Sequence, residues 1–319
     1  MAARNCGVKS GLHAPAVVAA LAVAFHFAIM PSPCSAVPRV AVSLKPVHAL
    51  VAGVMEGVGA PELILRGAGS PHTYSLKPSE ARLLEEAQVI FWVGNVLESF
   101  LARPLAALGS RARIVELLRA PGITALPARA GGSWNERGGH ENADHGAETR
   151  LDGHLWLDPE NAKAIARAAA DALGQADPAN RERYAANAAR LAARIDLLDA
   201  ELAATLAPAR GLPYVVFHDA YRYFEQRYAL RAVGSITVSP ERSPGAKRVR
   251  EIRGEIVRLG ARCVFGEPQF PPALLATLTE ETGARTGELD PLGAGLPAGP
   301  EAWFALMRAL GASLAGCLR

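Results

Sequence analysis

The sequence is poor in the features by which nucleic-acid-binding proteins are recognised. Aromatic residues make up 6% of the 319-residue chain, and the formal net charge is only +3. Lysine and arginine residues are interspersed with acidic residues, so no segment predicts a basic surface. The hydrophobic content of 50% is enough to bury a core in each of two domains. We therefore expect a globular protein that binds no nucleic acid.

The sequence also lacks an apolar run of the roughly 20 residues that a membrane-spanning helix needs. A shorter apolar run, Ala16 to Met30, follows two basic residues and ends in a proline turn and the small residues "CSA". This pattern predicts a secretory signal peptide over residues 1–36, cleaved after Ala36, with a membrane anchor as the alternative. The residues before Cys34 lack the small apolar pattern of a lipoprotein, so we expect a soluble protein exported to the periplasm.

Cysteine is scarce, with four residues in the chain. Cleavage of the signal peptide would remove Cys6 and Cys34 and leave Cys263 and Cys317. An exported protein folds in a compartment that oxidises thiols, so one disulfide is the expected state of the remaining pair. Two buried free thiols are the alternative.

The segment that follows the signal peptide alternates between apolar strands and helices. "PRVAVSL" reads as a strand, "PELILRGAG" as a strand and a loop, "KPVHALVAGVMEGV" as a helix, and "SEARLLEEA" as a second helix with Ser79 as its expected N-cap. "QVIFWVG" is a further apolar strand. Strands that alternate with helices at this spacing predict a parallel sheet covered on both faces.

Two Asp-Pro pairs open helices in the middle of the chain. Before them, residues 128–150 contain glycines, acids and two histidines without apolar periodicity, and this composition predicts a mobile loop. Asp158 and Pro159 then begin a helix that runs to about Leu173. The second pair opens residues 177–211, rich in alanine, leucine, arginine and glutamate, which predict one long helix that can reach from one domain to another.

The strand and helix alternation resumes after this long helix. We therefore predict an α/β protein of two lobes, each with a parallel sheet flanked by helices, joined by one long rigid backbone helix. The predicted boundaries are residues 37–176 for the N-terminal lobe, 177–210 for the linking helix and 211–319 for the C-terminal lobe.

Three histidines lie in comparable surroundings, each next to a predicted strand or helix. His72 lies in a loop after the strand "LILR", His154 precedes "LWLDP", and His218 directly follows the strand "YVVF". Open parallel sheets place their ligand crevices at the carboxyl ends of strands, so all three side chains can face one cleft. Their wide spacing rules out a zinc finger. Asp290 in "ELDPLG" is a fourth candidate, with a simple Asp-Pro turn as the alternative.

Five stretches resemble the sequence motifs of a known family and occur in the same order as in that family. They are "GSPHTYSLKPSEARLLEEAQVIFWVG", "HLWLDPENA", "VFHDAYRYFE", "CVFGEPQF" and "LDPLG". The chain is similar to the zinc-type solute-binding proteins of metal ABC importers, the ZnuA-like group of the cluster A-I family. The resemblance covers nearly the whole chain after the signal peptide. It implies two α/β lobes, one long backbone helix and a metal ion in the cleft between the lobes.

The resemblance also implies roles for individual residues. It implies that His72, His154 and His218 bind the metal, and that Asp290 matches an aspartate that is a ligand in some members only. It further implies a disulfide between the two remaining cysteines and delivery of Zn²⁺, as the transported ligand, to an ABC permease. We expect such a binding protein to be a monomer and not an enzyme. Candidate supporting groups, inferred from adjacency, are Trp156, Asp219 and Glu267.

Several alternatives remain open at this point. Many zinc-type members carry a long histidine-rich loop, whereas residues 128–150 hold only His140 and His145 beside acidic residues, so the loop could collect metal weakly or be merely solvated. Imidazole ligands favour zinc, and a manganese-delivering homologue, which has a glutamate in place of the third histidine, is the first rival. A secreted zinc hydrolase is a second, although the sequence lacks H-E-x-x-H. A surface adhesin is a third.

Overall fold

The computed structural model describes residues 37–67, 69–108, 111–129, 151–237, 245–269 and 272–319. The predicted signal peptide and residues 130–150 of the predicted loop, including His140 and His145, lie outside these ranges. None of the helices in the described ranges combines the length and the apolar character that crossing a membrane requires.

Four short strands near the start of the described chain pair in parallel. They are β1 (Val40–Val42), β2 (Glu62–Leu63), β3 (Val89–Trp92) and β4 (Arg113–Glu116), and they lie in the order β2-β1-β3-β4. The helices between them are α1 (Lys45–Val54), α2 (Pro78–Glu86) and α3 (Ser99–Leu108). Every residue of β1 and β3 is buried, which is the pattern of a parallel sheet with helices on both faces.

Helix α2 begins two residues earlier than Ser79 would require as an N-cap, so that expectation is wrong. The N-cap residue is Lys77, and Pro78 is the first residue of the helix. Proline favours this first position because its φ is already helical and because no intrahelical partner for an N–H is needed there. The Lys77 amide donates to the Glu80 carboxylate at 2.8 Å.

A second parallel sheet follows in the C-terminal part of the chain. Its strands are β5 (Pro213–Val216), β6 (Arg231–Ser235), β7 (Cys263–Gly266) and β8 (Arg285–Glu288), in the order β6-β5-β7-β8. Helices α6 (Arg222–Tyr228), α7 (Ala246–Arg258), α8 (Pro272–Thr279) and α9 (Ala302–Leu318) accompany it. The expected disulfide is present: it joins Cys263 of β7 to Cys317 of α9, with Cα atoms 6.1 Å apart.

Two helices lie between the sheets in sequence, α4 (Pro159–Ala176) and α5 (Arg181–Leu206). Helix α4 starts at Pro159 as predicted, with the Asp158 carboxylate accepting the Glu160 amide at 3.2 Å. Helix α5 has 26 residues, flanked by single 3-10 turns at Pro178–Asn180 and Ala207–Ala209. At 1.5 Å per residue it is about 39 Å long, so the predicted long helix is confirmed.

The buried face of α5 explains how the two sheets become one body. Its inward residues recur every three or four positions, from Tyr184 through Leu191 and Leu198 to Leu206. They belong to a hydrophobic core that also contains Val42 of the first sheet and Tyr214 of the second. Two smaller cores lie within the individual lobes. The predicted two-lobed α/β architecture is thus confirmed, and its largest core is shared between the lobes.

Candidate metal centre

The second sheet places His218 and Glu267 beside each other. His218 lies two residues after β5, and Glu267 directly follows β7, the strand that pairs with β5. In the order β6-β5-β7-β8, the next strand in sequence, β6, lies on one side of β5, and the following strand, β7, lies on the other side. Open α/β sheets form ligand crevices at such a switch point. The Nδ1 atom of His218 lies 2.6 Å from Oε1 of Glu267, and both side chains are buried.

The environment of His218 assigns its Nδ1 atom to Glu267. Burial lowers the pKa of this imidazole, but the neighbouring carboxylates, chiefly Glu267, together outweigh that effect and the net pKa lies above its usual value. A carboxylate can only accept at Nδ1, so the proton of a neutral ring resides there. The Nε2 atom then carries the lone pair that can bind a metal ion.

His154 is oriented in the same way from the first lobe. It precedes the 3-10 turn Leu155–Leu157, and Oδ1 of Asp152 lies 2.8 Å from its Nδ1 and accepts its backbone amide at 2.9 Å. The edge of the Trp156 ring packs against the imidazole, with ring centroids 5.4 Å apart. His154 is 5% exposed, so its Nε2 faces a protected space.

His72 completes the group from the loop between β2 and α2. Its ring lies 5.8 Å from that of His154 and 5.7 Å from that of His218, measured between centroids. Its Nε2 atom is buried and has no hydrogen-bond partner among the described residues. Burial, reinforced by the two neighbouring imidazoles, lowers the pKa of His72 to about 3. The ring is therefore neutral near pH 7 and able to act as a ligand.

The structure brings the three predicted histidines together. Each offers one ring nitrogen, and these three atoms lie within 4.8 Å of one another. The Nε2 atoms of His154 and His218 are 3.4 Å apart. Among the described residues, this is the only group of three or more histidine, cysteine, aspartate or glutamate side chains with metal-binding geometry.

Asp290 is placed differently. Its Oδ1 atom accepts from the backbone amides of Leu292 and Gly293, both at 3.0 Å, and from Nε2 of Gln269 at 3.0 Å. Its Oδ2 atom accepts the amide of Ala294 at 2.5 Å. The carboxylate thus holds its own turn, while Pro291 and Leu292 of that turn line the cavity that contains the histidines.

The supporting groups inferred from adjacency have three different placements. Glu267 and Trp156 contact His218 and His154, respectively. Asp219 instead pairs with Arg129, whose Nε lies 3.0 Å from Oδ2 of Asp219. Sequence reasoning overlooked Asp152, although the "DGH" spacing, in which an aspartate can bond the backbone two residues ahead, was a usable signal. It also overlooked Arg129, for which no local pattern pointed to a partner in the other lobe.

Comparisons with known proteins give the family of this chain. The family model for the periplasmic zinc-uptake complex component A, ZnuA, matches residues 40–317. The chain belongs to the ZnuA family. A ZnuA-family relative from Brucella abortus (strain 2308), a high-affinity zinc uptake system protein, is 46% identical over 310 residues, which cover 88% of this chain and 91% of the relative.

Solved structures of ZnuA share the fold. A crystal structure of ZnuA has a TM-score of 0.74 and 26% identity, and the match covers 88% of this chain and 99% of that chain. A ZnuA deletion mutant with zinc bound has a TM-score of 0.71 and 26% identity, with 88% and 98% of the two chains covered. Membership of the ZnuA family makes this chain the binding component of an uptake complex and not an enzyme.

Proposed function

We propose that this protein captures Zn²⁺ in the cleft between its lobes and delivers it to the permease of a metal ABC importer. The observation that carries the proposal is the convergence of His72, His154 and His218 within 4.8 Å. In a tetrahedral zinc site with Zn–N bonds of about 2.0–2.1 Å, ligand nitrogens lie roughly 3.4 Å apart. The Nε2 atoms of His154 and His218 are already 3.4 Å apart.

The donor set favours zinc over manganese. Neutral imidazoles suit zinc, whereas Mn²⁺ prefers carboxylate oxygens. Asp152 and Glu267, which adjoin the histidines, each contact an Nδ1 atom and so orient the rings. The oxygens of Asp290 accept hydrogen bonds from its own turn. Three nitrogens therefore provide the primary ligands, and water or Asp290 supplies the fourth.

The proposed setting is the periplasm, which the description of the matching family also gives. Residues 1–36 would act as the signal peptide. We propose the division into residues 37–176, 177–210 and 211–319 for the two lobes and the helix between them. We propose that the protein acts as a monomer, because a single chain supplies all three histidines of the cleft.

Metal analysis and calorimetry test this proposal. Protein purified without added metal is expected to contain one zinc per chain, and isothermal titration is expected to give tighter binding of Zn²⁺ than of Mn²⁺. Alanine at His72, His154 or His218 should weaken zinc binding by more than about 100-fold, because losing even an outer partner of a ligand costs about 10–100-fold.

Three outcomes would contradict the proposal. They are tighter binding of manganese than of zinc, wild-type zinc affinity in the His218→Ala variant, and zinc-dependent turnover of ester, peptide or phosphate substrates. The last outcome would instead support the hydrolase alternative.

A further inference from the structure

Lys45 occupies a position that local chemistry disfavours. It is the first residue of α1, where the positive end of the helix dipole repels a cation. It is also only 9% exposed, although lysine is rarely buried unless its charge has partners. Burial lowers the pKa of Lys45 below its usual value, and the Asp290 carboxylate opposes this shift. A residue that breaks local rules in this way points to a function in the tertiary structure.

The partners of Lys45 lie in the other lobe. Its Nζ atom donates to the backbone carbonyls of Gly293 at 2.7 Å, Ala294 at 2.8 Å and Leu296 at 2.9 Å. These three bonds use all three protons of the ammonium group. The carbonyls belong to residues 290–296, between β8 and α9, which we call the cover loop.

The cover loop forms part of the wall of the cavity that contains the histidines. Its residues Pro291 and Leu292 line the same cavity as His72, His154 and His218. Within the loop, the Asp290 carboxylate accepts hydrogen bonds from the amides of residues 292–294. The loop amides are thus bound by a residue of the second lobe, and the loop carbonyls are bound by Lys45 of the first lobe. A second contact comes from Trp156, whose Nε1 donates to the Pro291 carbonyl at 2.8 Å.

We propose that Lys45 is a positioning residue that fastens the cover loop of the second lobe to the first lobe and thereby slows the release of bound zinc. This inference rests on the proposed zinc function. His72 and His154 belong to the first lobe and His218 to the second, so parting the lobes separates the ligands. The same movement breaks the three bonds of Lys45. Lifting the cover loop alone also breaks them.

Zinc release from Lys45→Met and Lys45→Gln tests this inference. Methionine keeps the length of the side chain but has no donor, whereas glutamine retains a donor on a shorter side chain. The matched control is Arg194→Met, which removes the exposed ion pair between Arg194 of α5 and Glu301 at 2.7 Å without touching the cover loop. Each protein is loaded with zinc, and release into excess chelator is followed by stopped flow.

Lys45→Met is expected to release zinc at least about tenfold faster than wild type, since one charge-assisted hydrogen bond is worth about a factor of ten or more. The release rate of Lys45→Gln should lie between those of wild type and Lys45→Met, and the release rate of Arg194→Met should equal that of wild type. Thermal unfolding of the zinc-free proteins is measured beside the release rates. A general loss of stability would not produce the order of release rates Lys45→Met, Lys45→Gln, wild type, so the two effects can be separated.

Release from zinc-loaded Lys45→Met at the wild-type rate would overturn the inference while leaving the zinc function intact. If Lys45→Met does not fold, the same criterion is applied to Lys45→Gln. Equilibrium titration of the wild-type protein is run beside the kinetics. Failure of the wild type to bind zinc would overturn the proposed function itself, so the two failures are distinguishable.

Discussion

The Nε2 atoms of His154 and His218 lie 3.4 Å apart, although the two histidines enter the cleft from different lobes. Each ring has its Nδ1 atom beside a carboxylate, Asp152 for His154 and Glu267 for His218. With each Nδ1 atom beside a carboxylate, the Nε2 atoms are the ring nitrogens that face each other across the cleft. The two lobes therefore present one ring nitrogen each to the same small space.

Glu267→Gln and Asp152→Asn test the role of these carboxylates. Both changes keep the shape of the side chain but remove the charge that fixes the Nδ1 proton, so each should weaken zinc binding by about 10–100-fold. Titration calorimetry at constant pH measures this. Glu288→Gln, an exposed carboxylate at the end of the neighbouring strand β8, is the control and should bind as wild type does. Unchanged affinity in both buried variants would contradict the orienting role.

Replacing Asp290 by alanine should affect zinc binding less than replacing any of the three histidines, because water can occupy the fourth position. It should also reduce the free energy of unfolding of the zinc-free protein by about 1–3 kcal/mol, since the amides of Leu292, Gly293 and Ala294 lose their acceptor. Calorimetry and urea unfolding measure the two effects. A loss of affinity as large as that of His72→Ala would instead identify Asp290 as a direct ligand.

The disulfide between Cys263 and Cys317 should stabilise the fold more than the metal site. It closes a loop with a sequence separation of 54 residues. In the chain-entropy model, a loop of this length contributes about 4 kcal/mol. Replacing both cysteines by alanine should lower the free energy of unfolding accordingly and leave zinc affinity nearly unchanged. Detection of two reactive thiols in the unreduced, denatured mature protein would contradict the bridge.

Glu98 should make the stability of the zinc-free protein depend on pH. The residue follows β3 and is fully buried. Burial raises the pKa of its carboxyl group from 4.5 to about 7. Hydrogen bonds to the carboxylate, including those from the Gly94 and Val93 amides, oppose this shift only in part. Because the folded-state pKa is the higher one, the folded protein holds more protons between these values. The resulting stability is complete below pH 4.5 and is lost as the pH rises through about 7.

Urea unfolding of wild type and Glu98→Gln at about pH 5 and about pH 8 measures this contribution. Glutamine has the same shape but does not titrate, so wild type should lose up to about 3 kcal/mol more than the variant over this range. The comparison with the variant removes the contribution of other groups that titrate in the same window, such as Glu225, whose pKa is also raised by burial, to about 7. Parallel pH profiles for the two proteins would refute the assignment.

Much of the fold could be predicted because its signals are local. Strand and helix alternation follows from the positions of apolar residues, and Pro159 begins α4 because proline suits the first turn of a helix. The predicted N-cap of α2 was wrong because a second local signal competes with it. The preference of Pro78 for the first helical position outweighs the capping tendency of Ser79. The extent of α5 was overestimated by a few residues at each end, where the chain forms 3-10 turns.

The sequence by itself determined the order of helices and strands, the two cysteines that form the disulfide, and the three histidines at the ends of regular elements. Only the tertiary structure decided which groups surround those histidines. Glu267 reaches His218 across 49 residues of chain, and Lys45 reaches Gly293 across 248. Contacts of this kind form because a shared core holds the two lobes together, and the periodicity of a short segment carries no information about a partner so far along the chain.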